Sequence, residues 1–262
     1  MTAPEGRGEI LLLGGNALAN RLAESLADDG WTVLVSQATN LASDLAPRDS
    51  IAVRRGPLER EGFAELLESR RFKAVVDASH PYAEAVRRLA PTVAEQCGVP
   101  YISLLRLETP LSDDPSVHSV ISHEGAAALA TSFNAPVLAT VGANRLTVYV
   151  EAAREAGIRL IARVLPESRD RCLAIGMSDN DVFAERGPFS LEDNLRHLRA
   201  CGAGVIVLKN GGIEGGVPEK LEAARTLGIH AVTVARPRYS GIHLDGVEKV
   251  VTALKKMTFG NF

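Results

Sequence analysis

Residues 10 to 17, Ile10-Leu11-Leu12-Leu13-Gly14-Gly15-Asn16-Ala17, constrain the fold more than any other stretch, because a strand, a turn and a helix start follow without a spacer. Ile10 to Leu13 is a continuous apolar run, the pattern of a central parallel strand covered on both faces. Gly14 and Gly15 lack a Cβ, so the chain can turn sharply there and a bulky group can approach the backbone. Asn16 suits the N-cap of a helix carrying Leu18, Leu22 and Leu26 on one face. The unpaired N–H groups of such a helix start would face an anion. Two readings stand: a turn needed for packing alone, and a cradle for a dinucleotide phosphate, since Gly14-Gly15-x-x-x-Ala19 falls short of the full G-x-G-x-x-G fingerprint.

The strand-helix rhythm continues. Trp31 to Val35 reads as a second strand that runs into Ser36-Gln37-Ala38-Thr39-Asn40. An acid there would bond the ribose 2′-hydroxyl of NAD, whereas small hydroxyl and amide residues leave room for a 2′-phosphate. NADP is therefore favoured, with an ordinary polar loop as the alternative. Further strands are expected at Ile51 to Val53, Ala74 to Asp77 and Val99 to Leu104, with helices near Leu58 to Ser69 and from Pro81 to Cys97. Pro81 suits the first turn of the latter, and Ser79 or His80 its cap. Ligands of open α/β sheets lie beyond the carboxyl ends of the strands, so Gly14, Gly15, Ser36, Asp77, Ser79 and His80 should face one crevice. For Asp77 a cap, and for His80 a structural role, are the alternatives.

Residues 106 to 123, with Pro110, Asp113, Asp114 and Pro115, lose apolar periodicity and read as a crossover between domains 1–112 and 113–262, terminal elements being open to exchange. A second series follows: a helix at Glu124 to Thr131, a strand at Val137 to Val141, the turn Gly142 to Arg145, a helix to Ala156 and a strand at Arg159 to Val164. After a polar segment to Asp181, Ser190 opens a helix with Asp193 as its capping-box partner. Gly204 to Leu208 is a buried strand ending at Lys209-Asn210-Gly211-Gly212, where a cation and glycines can receive an anion. A helix-strand unit from Pro218 to Ala235 and a terminal amphipathic helix at His243 to Lys256 complete the chain. Arg186, Lys209, Lys220, Arg236 and Arg238 are a candidate carboxylate-binding face, with solvated surface charge as the alternative.

Composition narrows the classes. A chain of 262 residues, 46% hydrophobic and 5% aromatic, suits a well-cored α/β protein. A formal net charge of -3 with scattered basic residues gives no footprint for nucleic acid. Cys97, Cys172 and Cys201 fit neither a disulfide framework nor a zinc site, so a reducing cytoplasm is expected and no metal. Met1 to Glu9 reads as neither a signal peptide nor a membrane span.

Several segments taken together resemble the precorrin-6A reductase family of corrin (vitamin B12, cobalamin) biosynthesis, which includes the cobalt-precorrin-6A reductases. They are the Leu-Gly-Gly turn, Val76-Asp77-Ala78-Ser79-His80-Pro81-Tyr82-Ala83, Gly98-Val99-Pro100, Arg186-Gly187-Pro188-Phe189-Ser190-Leu191-Glu192, Lys209-Asn210-x-Gly212 and Lys220-Leu221-x-Ala223-Ala224-Arg225-x-Leu227-Gly228-Ile229. The likeness spans nearly the whole chain. Departures are Asn16 where the family commonly has Thr, Gly211 where it commonly has Ser, and Leu18 in place of an acid in the first helix turn.

The resemblance implies an α/β protein of two Rossmann-like domains, each a mainly parallel sheet flanked by helices, with a substrate cleft between them. It implies NADPH-dependent reduction of precorrin-6A to precorrin-6B, an oxidoreductase reaction on a CH–CH group with direct hydride transfer and neither flavin nor metal. Gly14, Gly15 and Asn16 would hold pyrophosphate, Ser36 and Thr39 the 2′-phosphate, and Ser79 the cofactor. His80, Tyr82 and Asp77 would be catalytic. Arg186, Lys209, Asn210, Gly212 and Lys220 would bind the polycarboxylated tetrapyrrole. No nucleic-acid or membrane partner is expected, and hand-over to neighbouring corrin-pathway enzymes is. The alternatives are the cobalt-precorrin-6A reaction and a non-catalytic NADP-binding sensor. A short-chain dehydrogenase is disfavoured, because none of Tyr82, Tyr101, Tyr149 or Tyr239 has a lysine four residues on.

Overall fold

The computed structural model describes residues 7–38, 45–105, 108–111, 113–237 and 242–258. Among them the strands are β1 (Glu9–Leu13), β2 (Thr32–Gln37), β3 (Ile51–Arg55), β4 (Phe72–Asp77), β5 (Tyr101–Leu105), β6 (Val117–Val120), β7 (Val137–Ala139), β8 (Leu160–Val164), β9 (Val182–Ala184), β10 (Val205–Lys209), β11 (His230–Val234) and β12 (Ile242–Asp245). The α-helices are α1 (Ala17–Asp28), α2 (Arg60–Ser69), α3 (Glu84–Gln96), α4 (His123–Ser132), α5 (Leu146–Ala156), α6 (Arg169–Ala174), α7 (Leu191–Cys201), α8 (Val217–Leu227) and α9 (Val247–Thr258). The chain divides into two compact units, Met1–Arg106 with Pro237–Phe262, and Leu107–Arg236.

In the first unit the strands lie in the order β3-β2-β1-β4-β5-β12, every pair parallel. Alternate residues of β1 serve opposite faces, as the pleat requires. Ile10 and Leu12 join Leu18, Leu22 and Leu26 of α1 and Val250 and Leu254 of α9. Leu11 and Leu13 join Phe63 and Leu67 of α2 and Val93 of α3 on the other face. A strand covered on both sides needs an unbroken apolar run, and each fully buried leucine contributes about 1.5–3 kcal/mol.

The second unit repeats the plan as β9-β8-β7-β10-β11-β6, again all parallel. Its helix α7 begins with the expected capping box, Ser190 and Asp193 bonding reciprocally. Leu198 of α7 and Val217 and Ala224 of α8 pack with Leu138, Ile161, Ile206 and Leu208 of the sheet. In both sheets the direction of winding reverses beside the first central strand, between β1 and β4 and between β7 and β10. Such switch points open a crevice at the strands' carboxyl ends.

The structure corrects several sequence expectations. Residues 117–120, expected within a crossover, form β6. His243, expected in the last helix, lies in β12, which pairs with β5. The terminal strand and α9 thus fall in the first unit, an exchange of terminal elements that the sequence left open. Both β6 and β12 are edge strands carrying polar residues, His118 and Ser119 in β6 and His243 and Asp245 in β12, so the apolar run that marks a central strand is missing. β2 extends through Ser36 and Gln37. Pro81 lies in a turn, and α3 starts at Glu84 with Ala83 as N-cap.

Candidate functional site

At the β1/β4 switch point Gly14 is fixed by two demands. Its φ is +155°, and a Cβ there would stand 2.7 Å from Ala19 Cβ and 3.1 Å from Ala78 O. Its N–H donates to Ser36 O at 3.0 Å. Asn16 caps α1 by accepting from the N–H groups of Leu18 and Ala19, and its Nδ2 donates to Ala78 O at 2.8 Å. The Asn16 side chain therefore ties the first turn to the one after β4. An anion here would meet the backbone N–H groups of the helix start, and α1 has no acid in its first turn to oppose it.

The end of β2 is equally suited to a nucleotide. Ser36 is buried, and the β2–β3 register sets it beside Arg54. Arg54 Nη1 lies 3.4 Å from Ser36 Oγ and donates to Gly56 O at 2.7 Å, while Nη2 donates to Pro57 O at 3.1 Å. A guanidinium at this point is the group that accommodates a 2′-phosphate. Arg54 was missed in the sequence because it lies on the second strand after the glycine turn, forty positions along the chain. Its signal was a cation at a strand's carboxyl end. Thr39 lies outside the described residues.

After β4 the chain is braced from below. Asp77 is fully buried, its Oδ1 accepting from Ser79 N–H at 2.8 Å and its Oδ2 from the Tyr101 hydroxyl at 2.7 Å. Burial and the nearby carboxylate push the Tyr101 phenol far up, so it remains a donor. Arg87, 2% exposed, lies 4.0 Å from Asp77 and donates to Ser103 Oγ, Ser79 O and His80 O. A buried carboxylate so bonded has no access to a ligand proton, so its geometry is that of a positioning group. Ser79 Oγ is buried and makes no hydrogen bond among the described residues. His80 is exposed, and its Nδ1 accepts from Tyr82 N–H at 3.2 Å, leaving the proton of a neutral ring on Nε2.

The second switch point is charged. Lys209 ends β10, its Nζ 3.9 Å from where a Cβ on Gly142, after β7, would stand. Lys220 on α8 is half-buried and donates to Gly215 O at 2.5 Å. Burial lowers its ammonium to about 8, with Arg163 and Lys209 adding to the shift and Glu219 opposing it. Gly212 turns with φ +76°. At Gly211 a Cβ would meet the Gly215 backbone at 3.3 Å, a tight contact that glycine avoids.

Two expected substrate residues are engaged elsewhere. Asn210 is buried, accepts from Thr109 N–H at 3.1 Å and donates to Thr109 O at 3.0 Å, so its amide fastens a neighbouring segment. Arg186 is exposed and pairs with Glu167 at 2.7 Å. Arg236 donates to Asn210 O at 2.6 Å, and Arg238 lies outside the described residues.

The profile of the family described as precorrin-6x reductase CbiJ/CobK matches residues 9–256, from the start of β1 into α9. The chain belongs to that family. Membership makes it a reductase of the corrin pathway's tetrapyrroles, for which a nicotinamide cofactor is implied. The cobalt-precorrin-6A reductase of Priestia megaterium is 31% identical over 253 residues, covering 95% of this chain and 99% of the relative. The enzyme of the same name from Salmonella typhimurium is 34% identical over 234 residues, covering 88% of each. The precorrin-6A reductase of Rhodococcus erythropolis is 30% identical over 231 residues, covering 87% of this chain and 89% of the relative. A solved structure named CobK precorrin-6A reductase has the same fold, with a TM-score of 0.77 at 24% identity over 95% of this chain and 97% of that one. Among the described residues of this family member, no helix is long and apolar enough to cross a membrane.

Proposed function

We propose that the chain reduces the precorrin-6A macrocycle with NADPH, the first unit binding the nucleotide and the second the carboxylates of the tetrapyrrole. The observation that carries this reading is the contrast between two equivalent switch points. One is a glycine turn of exposed backbone, and the other is ringed by cations. NADPH is preferred to NADH because β2 ends in Ser36 and Gln37 with Arg54 alongside, where an acid would be needed for a free 2′-hydroxyl.

Bound NADPH supplies the hydride. Gly14 and Gly15 admit the pyrophosphate to the start of α1, and Ser79 Oγ, buried without a partner, is the side chain set to bond the cofactor. His80, with its proton held on Nε2, is the donor for the ring position that takes up a proton. Asp77 and Arg87 position that loop. On the second unit Lys209 and Lys220 hold carboxylates, while Ile121, Leu165 and Ile213 stand exposed beyond the carboxyl ends of β6, β8 and β10 to meet the apolar plane of the macrocycle. The free cysteines fit work in a reducing cytoplasm.

The test is anaerobic oxidation of NADPH on adding metal-free precorrin-6A, with NADH and cobalt-precorrin-6A as parallel arms. NADPH is expected to be oxidised well above NADH. Activity with the cobalt form alone would move the chain to the reaction named for the Priestia and Salmonella relatives. Binding of NADPH without oxidation in either arm would overturn the enzyme reading in favour of a sensor.

A further inference from the structure

Strand β8, Leu-Ile-Ala-Arg-Val, is buried along its whole length, yet its fourth residue is an arginine. Arg163 is 5% exposed. Its Nη1 lies 3.1 Å from His197 Nδ1, and its guanidinium lies 4.0 Å beneath the ring of Phe189. Because a guanidinium can only donate, His197 Nδ1 must accept, which makes the ring neutral with its proton on Nε2. That proton reaches Glu185 Oε1 at 3.2 Å. Phe183 stacks on His197 with centroids 4.7 Å apart and locks the ring plane. One edge of the guanidinium is thus fixed by an ordered chain of glutamate, histidine and arginine, and one face is covered.

The other edge is left over. Arg163 Nη2 is buried and makes no hydrogen bond among the described residues. A buried charged donor without a partner is costly, and an arginine kept only for packing would be expected to have it satisfied. The ammonium of Lys220 on α8 feels the positive charges of both Arg163 and Lys209. Opposing acids are largely engaged: Glu185 with His197 and Arg196, and Asp193 with Ser190 and Arg196. Lys220 itself donates to a neutral carbonyl, which an arriving carboxylate can outcompete. Burial lowers Arg163 to about 10, so it is still cationic at neutral pH.

We infer that Arg163 anchors a carboxylate of the tetrapyrrole through its unpaired Nη2, with His197 and Glu185 as positioning residues that aim the guanidinium. This rests on the proposed function and names a residue for it that the strand pattern hides. It also gives the Arg186-Gly187-Pro188-Phe189 segment a purpose different from the one expected. Arg186 faces outward, whereas Phe189 folds back over Arg163, and a Cβ on Gly187 would stand 3.0 Å from the Phe189 ring.

The experiment measures binding of precorrin-6A, and separately of uroporphyrin as a polycarboxylate tetrapyrrole that is not reduced, to wild type, Arg163→Met and Glu185→Gln. NADPH binding is followed by fluorescence in each. Methionine keeps apolar packing under Phe189, and Glu185→Gln keeps the hydrogen bond while removing its charge, which guards against misfolding of the first variant. Arg163→Met should weaken both tetrapyrroles about 10- to 100-fold, reduce the salt dependence of binding and leave NADPH affinity unchanged. Glu185→Gln should raise KM by a few-fold at nearly constant kcat. Equal tetrapyrrole binding by folded Arg163→Met and wild type would overturn the inference. If wild type binds uroporphyrin through Arg163 but does not reduce precorrin-6A, the subsite stands and the proposed reaction falls.

Discussion

The two units share a strand order and differ in what they place at the point where the winding reverses. In the first, two glycines and a capping asparagine present bare backbone, and the charged groups nearby, Asp77 and Arg87, are buried as braces. In the second, Lys209 and Lys220 stand at the equivalent place and Arg163 lies under Phe189. On the proposed function the same scaffold would make a site for a phosphate bridge held by N–H dipoles and a site for carboxylates held by full charges. Fold sets where a ligand goes, and the residues at the strand ends set which ligand it is.

The comparison breaks most readily at its braces. Arg87→Met leaves Asp77 buried without its cation and should cost about 3–5 kcal/mol of stability in chemical denaturation, with partial recovery in the Asp77→Asn, Arg87→Met double variant. Loss of less than about 1 kcal/mol would mean the loop after β4 is not held as described. Arg54→Met should lower NADPH affinity about 10- to 100-fold and change NADH affinity little, since only the former carries the 2′-phosphate. A parallel loss for both nucleotides would move Arg54 from selectivity to folding.

The mirror experiment lies in the second unit. Lys209→Ala should raise the KM for precorrin-6A about tenfold while NADPH affinity holds, the reverse of the Arg54 variant. Equal weakening of both ligands would undo the division of labour. The smallest effect is one of pH. Lys220 gives up its proton near 8 in the folded chain, against an ordinary value of 10.5. It is charged below that pH, so substrate affinity should be greatest there and fall a few-fold as pH rises through about 8, with Arg163, Lys209 and Glu219 as the charges facing it. Lys220→Arg should flatten the profile. The stability sign is opposite: the cost of burying the ammonium is full below about 8 and is relieved as pH rises from there towards 10.5, because the unfolded chain keeps its proton longer.

How far the sequence was legible depended on burial. β1, β4 and β10 were readable because strands covered on two faces must be apolar throughout. β6 and β12 were not, and they hold the same place, the outer edge of each sheet, where Val117-His118-Ser119-Val120 and Ile242-His243-Leu244-Asp245 carry polar residues that an edge tolerates. The cap at Asn16 could be read from residue type, but its bond to Ala78, sixty-two positions away, could not. Asn210 shows the converse. A polar residue beside a cation looked like a ligand contact, and its amide instead fastens Thr109. Arg163 was legible in principle, since a charge inside a buried strand demands a reason, yet the reason lay on α7 and in the 182–189 segment.

The return of β12 and α9 to the first sheet also fixes the order in which the molecule can be finished. Leu107–Arg236 is spliced between β5 and β12, so all of the second unit leaves the ribosome before the last strand and helix of the first exist. Val250 and Leu254 of α9 cover the apolar face that α1 shares with β1, and that face stays open until α9 is made. The first unit begins before the second and is covered only after it, which leaves its sheet open to wrong partners during synthesis.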